Sequence, residues 1–273
     1  MRVGGEAAVL VLPSCIEEIR EAVKALKKAN VPHAVIGNGT NLIVSDSGFS
    51  GVIIKLADNF SNISVAEDEI IAQAGASLAS VSNAAWKAGL AGLEFASGIP
   101  GTIGGAVAMN AGAYDGEMKD VVIHTTCMDE NGKIVQLTKE QHEFGYRKSA
   151  VQKNRLLVLE TTMKLHQGDP EKIKEKMQCL NARRREKQPL NLPSAGSIFK
   201  RPPDHFAGKL IEEAGLRGYR IGGAQVSDKH CGFIVNTGDA TAADIIALIQ
   251  LVKEKVFLNS GVMLEEEVKI LGG

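Results

Sequence analysis

The 273-residue chain is 44% apolar and 23% charged, with a formal net charge of −1, which is ordinary globular usage and enough for a sizeable core. That length favours two domains, and the near-neutral balance supplies no bulk field to draw the protein onto nucleic acid or an acidic membrane. Aromatic residues make up only 4%, too few to lay out a base-stacking surface.

The first predicted element is a helix. Ser14 and Glu17 form a capping-box pattern, Ile16, Ile19, Val23 and Leu26 recur at helical spacing, and Asn30 and Pro32 end it. Ala34 to Ile36 and Leu42 to Val44 read as strands on either side of the tight turn Gly37-Asn38-Gly39-Thr40-Asn41. Val52 to Leu56, Ile63 to Val65 and Ile70 to Ala74 are further strands, and a short helix runs from Ser77 to Gly89. Ala96 to Tyr114 has no regular period and is rich in glycine, so it is expected to be a long functional loop holding at most one helical turn. Val121 to Met128 and Ile134 to Leu137 flank Asn131-Gly132, a hairpin signal, and Leu156 to Leu165 is a long strand.

Asp169-Pro170 opens a helix with proline at its first position; Ile173, Met177 and Leu180 share one face, and the basic run Arg183 to Lys187 ends it. After a Pro-rich passage come a helix over Ala207 to Ala214, a strand over Gly232 to Asn236, a helix over Thr241 to Phe257 with a capping pattern at Thr241 and Asp244, and a last strand over Val268 to Leu271. Strands that follow one another with few helices between them predict an α+β fold. The expected division is 1–167 followed by 168–273, with the boundary just before Asp169.

Cys15, Cys127, Cys179 and Cys231 are far apart, with no C-x-x-C and no disulfide-framework spacing, which predicts a reducing compartment. There is no signal-peptide pattern and no apolar run near the ~20 residues that span a bilayer. The expectation is a cytoplasmic protein without membrane insertion. The histidines lack metal-ligand spacing, so no metal is predicted.

Glycine numbers 29 and clusters in two stretches. In Gly37-Asn38-Gly39-Thr40-Asn41, successive N–H groups can form an anion-binding nest suited to a pyrophosphate; a plain tight turn fits equally well. Leu42 stands where a dinucleotide fingerprint has its third glycine, and no Gly-Lys-Ser/Thr ending marks a Walker loop. The second stretch, Gly98 to Ala113, is small and nearly uncharged. It can lie flat against a large ring system and offer backbone polar groups to its edge, or it can be a buried structural loop.

Gly37-Asn38-Gly39-Thr40-Asn41-Leu42 and Ser97-Gly98-Ile99-Pro100-Gly101-Thr102-Ile103-Gly104-Gly105-Ala106 resemble the FAD-binding segments of the UDP-N-acetylenolpyruvoylglucosamine reductase family. Tyr146-Arg147-Lys148-Ser149, Ser194-Ala195-Gly196-Ser197-Ile198-Phe199-Lys200, Gly222-Gly223-Ala224-Gln225-Val226-Ser227 and Leu264-Glu265-Glu266-Glu267-Val268 match it in the family's order. The short length resembles the smaller subtype, which lacks an inserted active-site loop. Arg2-Val3-Gly4-Gly5 resembles a segment that members usually carry after a further N-terminal stretch.

The resemblance implies an FAD-binding domain of the vanillyl-alcohol-oxidase type, made of two α+β subdomains of roughly 1–60 and 61–167, and a smaller C-terminal α+β domain for the substrate. It implies noncovalent FAD held by Gly37, Asn38, Gly39, Thr40, Asn41, Leu42, Gly98, Ile99, Pro100, Gly101, Gly104, Gly105, Ala106, Asn110, Gly112 and Ala113. It implies NADPH as hydride donor and reduction of UDP-N-acetylglucosamine enolpyruvate to UDP-N-acetylmuramate, a step toward peptidoglycan and hence cell shape and division. Ser197 matches the proton donor and Arg147 the arginine whose fork can hold the substrate carboxylate and absorb enolate charge. Glu267 matches the catalytic glutamate; strand alternation would place it on one face with Glu265, opposite Glu266. Tyr146, Lys187, Lys200 and Gln225 are expected at the substrate. Two other readings stay open: another flavoenzyme on the same fold, and a flavin- or nucleotide-sugar-binding protein without turnover.

Overall fold

The computed structural model describes residues 1–272. They form two compact units: a larger one of Val9–Gly39 and Gly51–Arg184, and a smaller one of Met1–Ala8, Thr40–Ser50 and the chain from Arg185 onward. The turn Gly37 to Asn41 carries the chain from the larger to the smaller, because Leu42–Val44 pairs in parallel with Lys269–Leu271, Leu42 opposite Lys269. The boundary expected at residue 168 falls inside the larger unit. There the helix Pro170–Lys187, whose last turn passes into the smaller unit, buries Ile173 and Met177 with Ala91 in a satellite cluster against which Trp86 packs.

The larger unit is built on a five-stranded antiparallel sheet. Its order is Ile134–Thr138, Val122–Met128, Leu157–Lys164, Glu69–Gln73 and Ile63–Ala66. Leu157–Lys164 is buried along nearly its whole length; a central strand covered on both faces reads as a continuous apolar run. The helices Leu78–Lys87 and Ile103–Ala108 contribute Leu78, Val81, Ile103 and Val107 to the same core as Ile70, Met128 and Leu159. Ser77 caps the first of these by accepting the Ser80 N–H. The first helix, Ile16–Lys28, begins differently from its expected capping box: Ser14 donates to Glu18 Oε2 from both N and Oγ, at 2.7 and 3.0 Å, and Glu17 takes no part. The strand Ala7–Val11 was not foreseen; three of its five residues are exposed, so it shows no alternation to read.

His142 lies fully buried in this unit. Its Nδ1 is 2.6 Å from the Thr138 carbonyl and its Nε2 is 2.8 Å from Thr125 Oγ1. The carbonyl accepts only, so Nδ1 carries the proton and the Thr125 hydroxyl donates to Nε2. Burial lowers the pKa of the ring below its ordinary 6.5, outweighing the backbone hydrogen bonds. The unfolded chain therefore binds a proton that the folded chain refuses. Stability is full above the ordinary 6.5, falls as pH drops through that value, and levels off below the folded pKa. Melting curves from pH 8 downward are expected to show this loss. In His142→Gln the slope flattens, while the whole curve is lowered by about 1–3 kcal/mol for the disturbed buried hydrogen bonds.

The smaller unit has a four-stranded antiparallel sheet in the order Ser194–Ser197, Phe233–Asn236, Ala224–Val226, Arg220–Ile221. The helix Ala242–Ser260 turns Ile245, Leu248, Ile249, Val252 and Val256 inward, the spacing of one helical face. The expected Thr241–Asp244 capping box is present, and Gly261 ends the helix at φ +72°. Asp46 reinforces the N-terminus by accepting from Ala242 and Ala243 N–H at 2.8 and 2.9 Å. Among the described residues no helix is long and apolar enough to cross a membrane.

Candidate functional site

The two glycine stretches meet in the larger unit. Gly37 packs so closely on Thr102 that any side chain there would overlap Thr102 Oγ1. Both residues line a groove of about 510 Å³ together with Gly104, Gly105, Ala108, Val35 and Leu56, inside the ~300–1,000 Å³ range of small-molecule sites. Within the second stretch, Ile103–Ala108 forms a short helix and Gly112–Ala113 pairs with Gly116–Glu117 across Tyr114 and Asp115. Both turn residues have positive φ, +52° and +67°, as a type I′ hairpin demands.

These features fit a dinucleotide with a flat head. Gly37, Gly104, Gly105 and Ala108 give the groove a stretch of small residues, and His33, Asp129, Glu130, Gln152 and Arg155 also line it. Beside Gly98, Arg184 is half-buried, its Cδ 3.3 Å from where a Gly98 side chain would begin. Among the described residues its Nε has no hydrogen-bond partner, and burial lowers its pKa. A buried donor of this kind is satisfied by water or by a bound group.

The glycines are not equivalent. A side chain at Gly104 would press on Ala74, 3.0 Å from its Cβ and 3.3 Å from its carbonyl oxygen. At Gly105, which is exposed, the nearest protein atom is Thr102 Oγ1 at 3.9 Å. Gly105→Val is therefore expected to fold and melt like the parent apoprotein yet lose most of its FAD. Gly104→Val is expected to lose stability as well. Flavin content after gel filtration, set beside the apoprotein melting curve, checks this; full occupancy in Gly105→Val would remove that residue from the cofactor's surface.

Asn110, expected at the cofactor, is almost fully buried at φ +43° and uses its amide within the protein. Its Nδ2 donates to Glu117 Oε2 at 2.9 Å and to the Gly145 carbonyl at 3.1 Å, and its Oδ1 accepts from Lys119 N–H at 2.9 Å. Gly145 and Lys148 exchange backbone hydrogen bonds of 3.0 and 3.2 Å around a turn that holds Arg147 at φ +54°. The Arg147 guanidinium carbon sits 5.2 Å from the Tyr146 ring centroid, within cation–π range. Burial would raise the Glu117 pKa, but hydrogen bonds from Lys119 and Asn110 and the charges of Lys119 and Arg147 hold it below the usual carboxylate range. Asn110 thus ties the end of the glycine-rich stretch to the turn presenting Arg147.

In the smaller unit, the segments that carry Ser197 and Glu267 pair through their backbones. Glu267 N–H donates to the Ile198 carbonyl at 2.8 Å, Lys200 N–H to the Glu265 carbonyl at 2.9 Å, and Phe199 bridges Glu266. Ser197 follows Gly196, at φ +78°, where the pairing with Phe233–Asn236 shifts register. Such a bulge re-aims the side chain after it. The Ser197 hydroxyl reaches the Phe199 carbonyl at 3.1 Å and the Gly232 carbonyl at 3.5 Å. Both are acceptors, so they hold the hydroxyl as a donor.

The three glutamates lie in an extended stretch: the Phe199–Glu266 bridge is flanked by the Lys200 N–H to Glu265 bond and the Glu267 N–H to Ile198 bond. Glu265 pairs with Lys200, and Glu266 with Lys253 at 2.7 Å. Lys200 is thus engaged by Glu265, while Arg201 lies over the Phe206 ring at 4.1 Å.

A second groove of about 660 Å³ lies within the smaller unit. It is lined by Arg185, Gln188, Leu190, Gln225, Asp228 and Lys229, among others. Lys187 is exposed and not part of it. Gln225 contributes to its floor, but its amide is committed: Nε2 donates to Gly218 O and Asp228 Oδ2 at 3.3 and 3.1 Å, and Oε1 accepts from Arg220 at 3.0 Å. The basic run Arg183 to Lys187 read equally well as a diphosphate site and as a solvated helix end, and of it Arg185 lines this groove; Lys229 was not singled out from the sequence. His230 was missed too. Its Nδ1 accepts from Gly232 N–H at 3.1 Å, and burial lowers its pKa. A Gly232 side chain would meet both this ring, at 2.9 Å, and Ser197 Oγ, at 3.5 Å. No metal-holding cluster of His, Cys, Asp and Glu occurs among the described residues.

Residues 7–138 match the family model of an FAD binding domain, and residues 188–271 that of the C-terminal domain of UDP-N-acetylenolpyruvoylglucosamine reductase. The reductase of that name from Clostridioides difficile (strain 630) is 53% identical over 271 residues, covering 99% of this chain and 89% of the relative. That from Alkaliphilus oremlandii (strain OhILAs) is 49% identical over the same span. The crystal structure of UDP-N-acetylenolpyruvylglucosamine reductase from Thermus caldophilus matches with a TM-score of 0.84 at 35% identity, covering 96% of this chain and 92% of that one.

Proposed function

The chain belongs to the UDP-N-acetylenolpyruvoylglucosamine reductase family, and on that premise we propose how its residues divide the work. It is an FAD-dependent oxidoreductase of peptidoglycan synthesis that reduces the enolpyruvyl ether of UDP-N-acetylglucosamine enolpyruvate, with NADPH as the hydride donor. FAD, when bound, supplies the hydride carrier between NADPH and the carbon–carbon double bond.

The larger unit holds the dinucleotide, through the backbone around Gly37 and Gly39 and along Gly98 to Ala106, with Gly105 against its surface. Arg147 grips the substrate carboxylate with its fork and neutralises charge as the enolate develops. Ser197 delivers the proton to the carbon beside that carboxylate. Glu267 serves the same protonation step. In the smaller unit the groove lined by Arg185 and Lys229 offers two cations to the diphosphate of the UDP-sugar, with Gln225 holding its floor in shape.

The observation that supports this reading is that the segments carrying Ser197 and Glu267 are joined by backbone pairing within the smaller unit, Glu267 N–H on the Ile198 carbonyl at 2.8 Å. We place the protein in the cytoplasm, where NADPH and UDP-sugars are made, and its product upstream of wall growth, cell shape and division. Nucleic acid is not a partner, in keeping with the net charge of −1. The test is NADPH oxidation with and without the enolpyruvyl UDP-sugar. Consumption that depends on the sugar, with a product two hydrogens heavier, supports the reading. Oxidation that depends on oxygen alone marks an oxidase instead.

A further inference from the structure

We propose that Asn41 is a positioning residue for Glu267. Its side-chain amide fixes the backbone of that glutamate and is not spent on the cofactor, although Asn41 sits at the end of the glycine turn. The proposal rests on the reading of Glu267 as a catalytic residue.

Asn41 Nδ2 donates to the Glu267 carbonyl at 3.1 Å, and the Asn41 carbonyl accepts from Lys269 N–H at 3.0 Å. One residue thus grips the chain on both sides of Val268, which is buried in the smaller unit's core with Ile43. On its other side Glu267 donates its N–H to Ile198. The Glu267 N–H and carbonyl are therefore both held, one from the Ser197 strand and one by Asn41. Of these two bonds only the one from Asn41 comes from a side chain, so it alone can be removed without disturbing a ladder. Fixing both peptide groups restricts where the carboxylate can point. Displacement of a reacting group by ~1 Å is enough to cost ~10²-fold in rate.

This role and a cofactor role make opposite demands on a variant. Asn41→Ala is expected to keep its FAD and to be bleached by NADPH at close to the parent rate, while reoxidation by the enolpyruvyl UDP-sugar slows ~10–10²-fold. In a Glu267→Gln background the same substitution is expected to add less than about threefold, because the group it positions is already gone. Asn41→Asp keeps the volume but lacks the donor, and it carries the same readings if the alanine variant folds poorly. Loss of FAD in proportion to loss of activity overturns the proposal, as does parent-like reoxidation in Asn41→Ala and Asn41→Asp when Glu267→Gln is impaired. Parent-like reoxidation in Glu267→Gln overturns the assignment of Glu267 itself, and the proposal with it.

Discussion

Ser197→Ala is expected to leave bleaching of the flavin by NADPH near the parent rate and to slow its reoxidation by the enolpyruvyl substrate by ~10²–10⁴-fold, the usual worth of a general acid. The reason is the separation of roles. Hydride delivery to the methylene carbon leaves negative charge on the carbon beside the carboxylate, and the reaction is complete only when a proton arrives there. Ser197 is the group assigned to supply it; its hydroxyl proton rests on the Phe199 carbonyl at 3.1 Å and must turn from that bond to the substrate. Removing a hydroxyl of this small volume leaves the strand intact, since the pairing of Ser197 with Phe233 is made by the backbone. Ser197→Cys is expected to recover part of the rate, because a thiol also donates. Stopped-flow absorbance on each half-reaction distinguishes the outcomes. Loss of NADPH-driven bleaching with normal reoxidation would remove Ser197 from the proton-donating role.

The second large effect is expected at Arg147. Arg147→Lys keeps the positive charge and the backbone strain of a φ of +54°, so folding should be unchanged. It loses the planar fork that can hold a carboxylate by two parallel hydrogen bonds. Reoxidation by substrate is expected to fall ~10²–10³-fold, the scale of removing one donor from developing negative charge, and Arg147→Ala is expected to fall further. Bleaching by NADPH should be spared in both. If lysine restores the parent rate, the residue acts as a point charge and the bidentate reading is wrong.

Much of this was legible in the sequence where local chemistry and tertiary packing agree. The helix Ala242–Ser260 has a capping box, a glycine stop and one apolar face, and each of those signals is local. The Asn131-Gly132 hairpin joins its two strands in register for the same reason. The strand Ser194–Ser197 was not legible as a strand. Its sequence is serine, alanine and glycine, with little strand preference, and it exists because Phe233–Asn236 offers it a ladder. What the sequence did not show is which cation each glutamate meets: Glu265 pairs with Lys200 and Glu266 with Lys253, neither of them close in sequence.

The glycine stretches show the same limit at the site. The sequence located both, and the contact of Gly37 with Thr102 joins them. It does not show which glycine faces a ligand and which faces the core, because that depends on how the short helix Ile103–Ala108 is rotated against Ala74. Nor does it show that the amides of Asn41 and Asn110 turn inward to Glu267 and Gly145, since an asparagine in a glycine-rich turn serves backbone and ligand equally well.

The central claim is that one bound flavin carries hydride from NADPH to the enolpyruvyl ether. Anaerobic sequential mixing tests it most directly. The purified protein is first titrated with NADPH until its flavin absorbance is bleached, then mixed with UDP-N-acetylglucosamine enolpyruvate while absorbance and product are followed together. The account predicts that the flavin colour returns and that one UDP-N-acetylmuramate forms for each flavin reoxidised. A flavin that stays bleached with the sugar present, and regains colour only when oxygen is admitted, would contradict it.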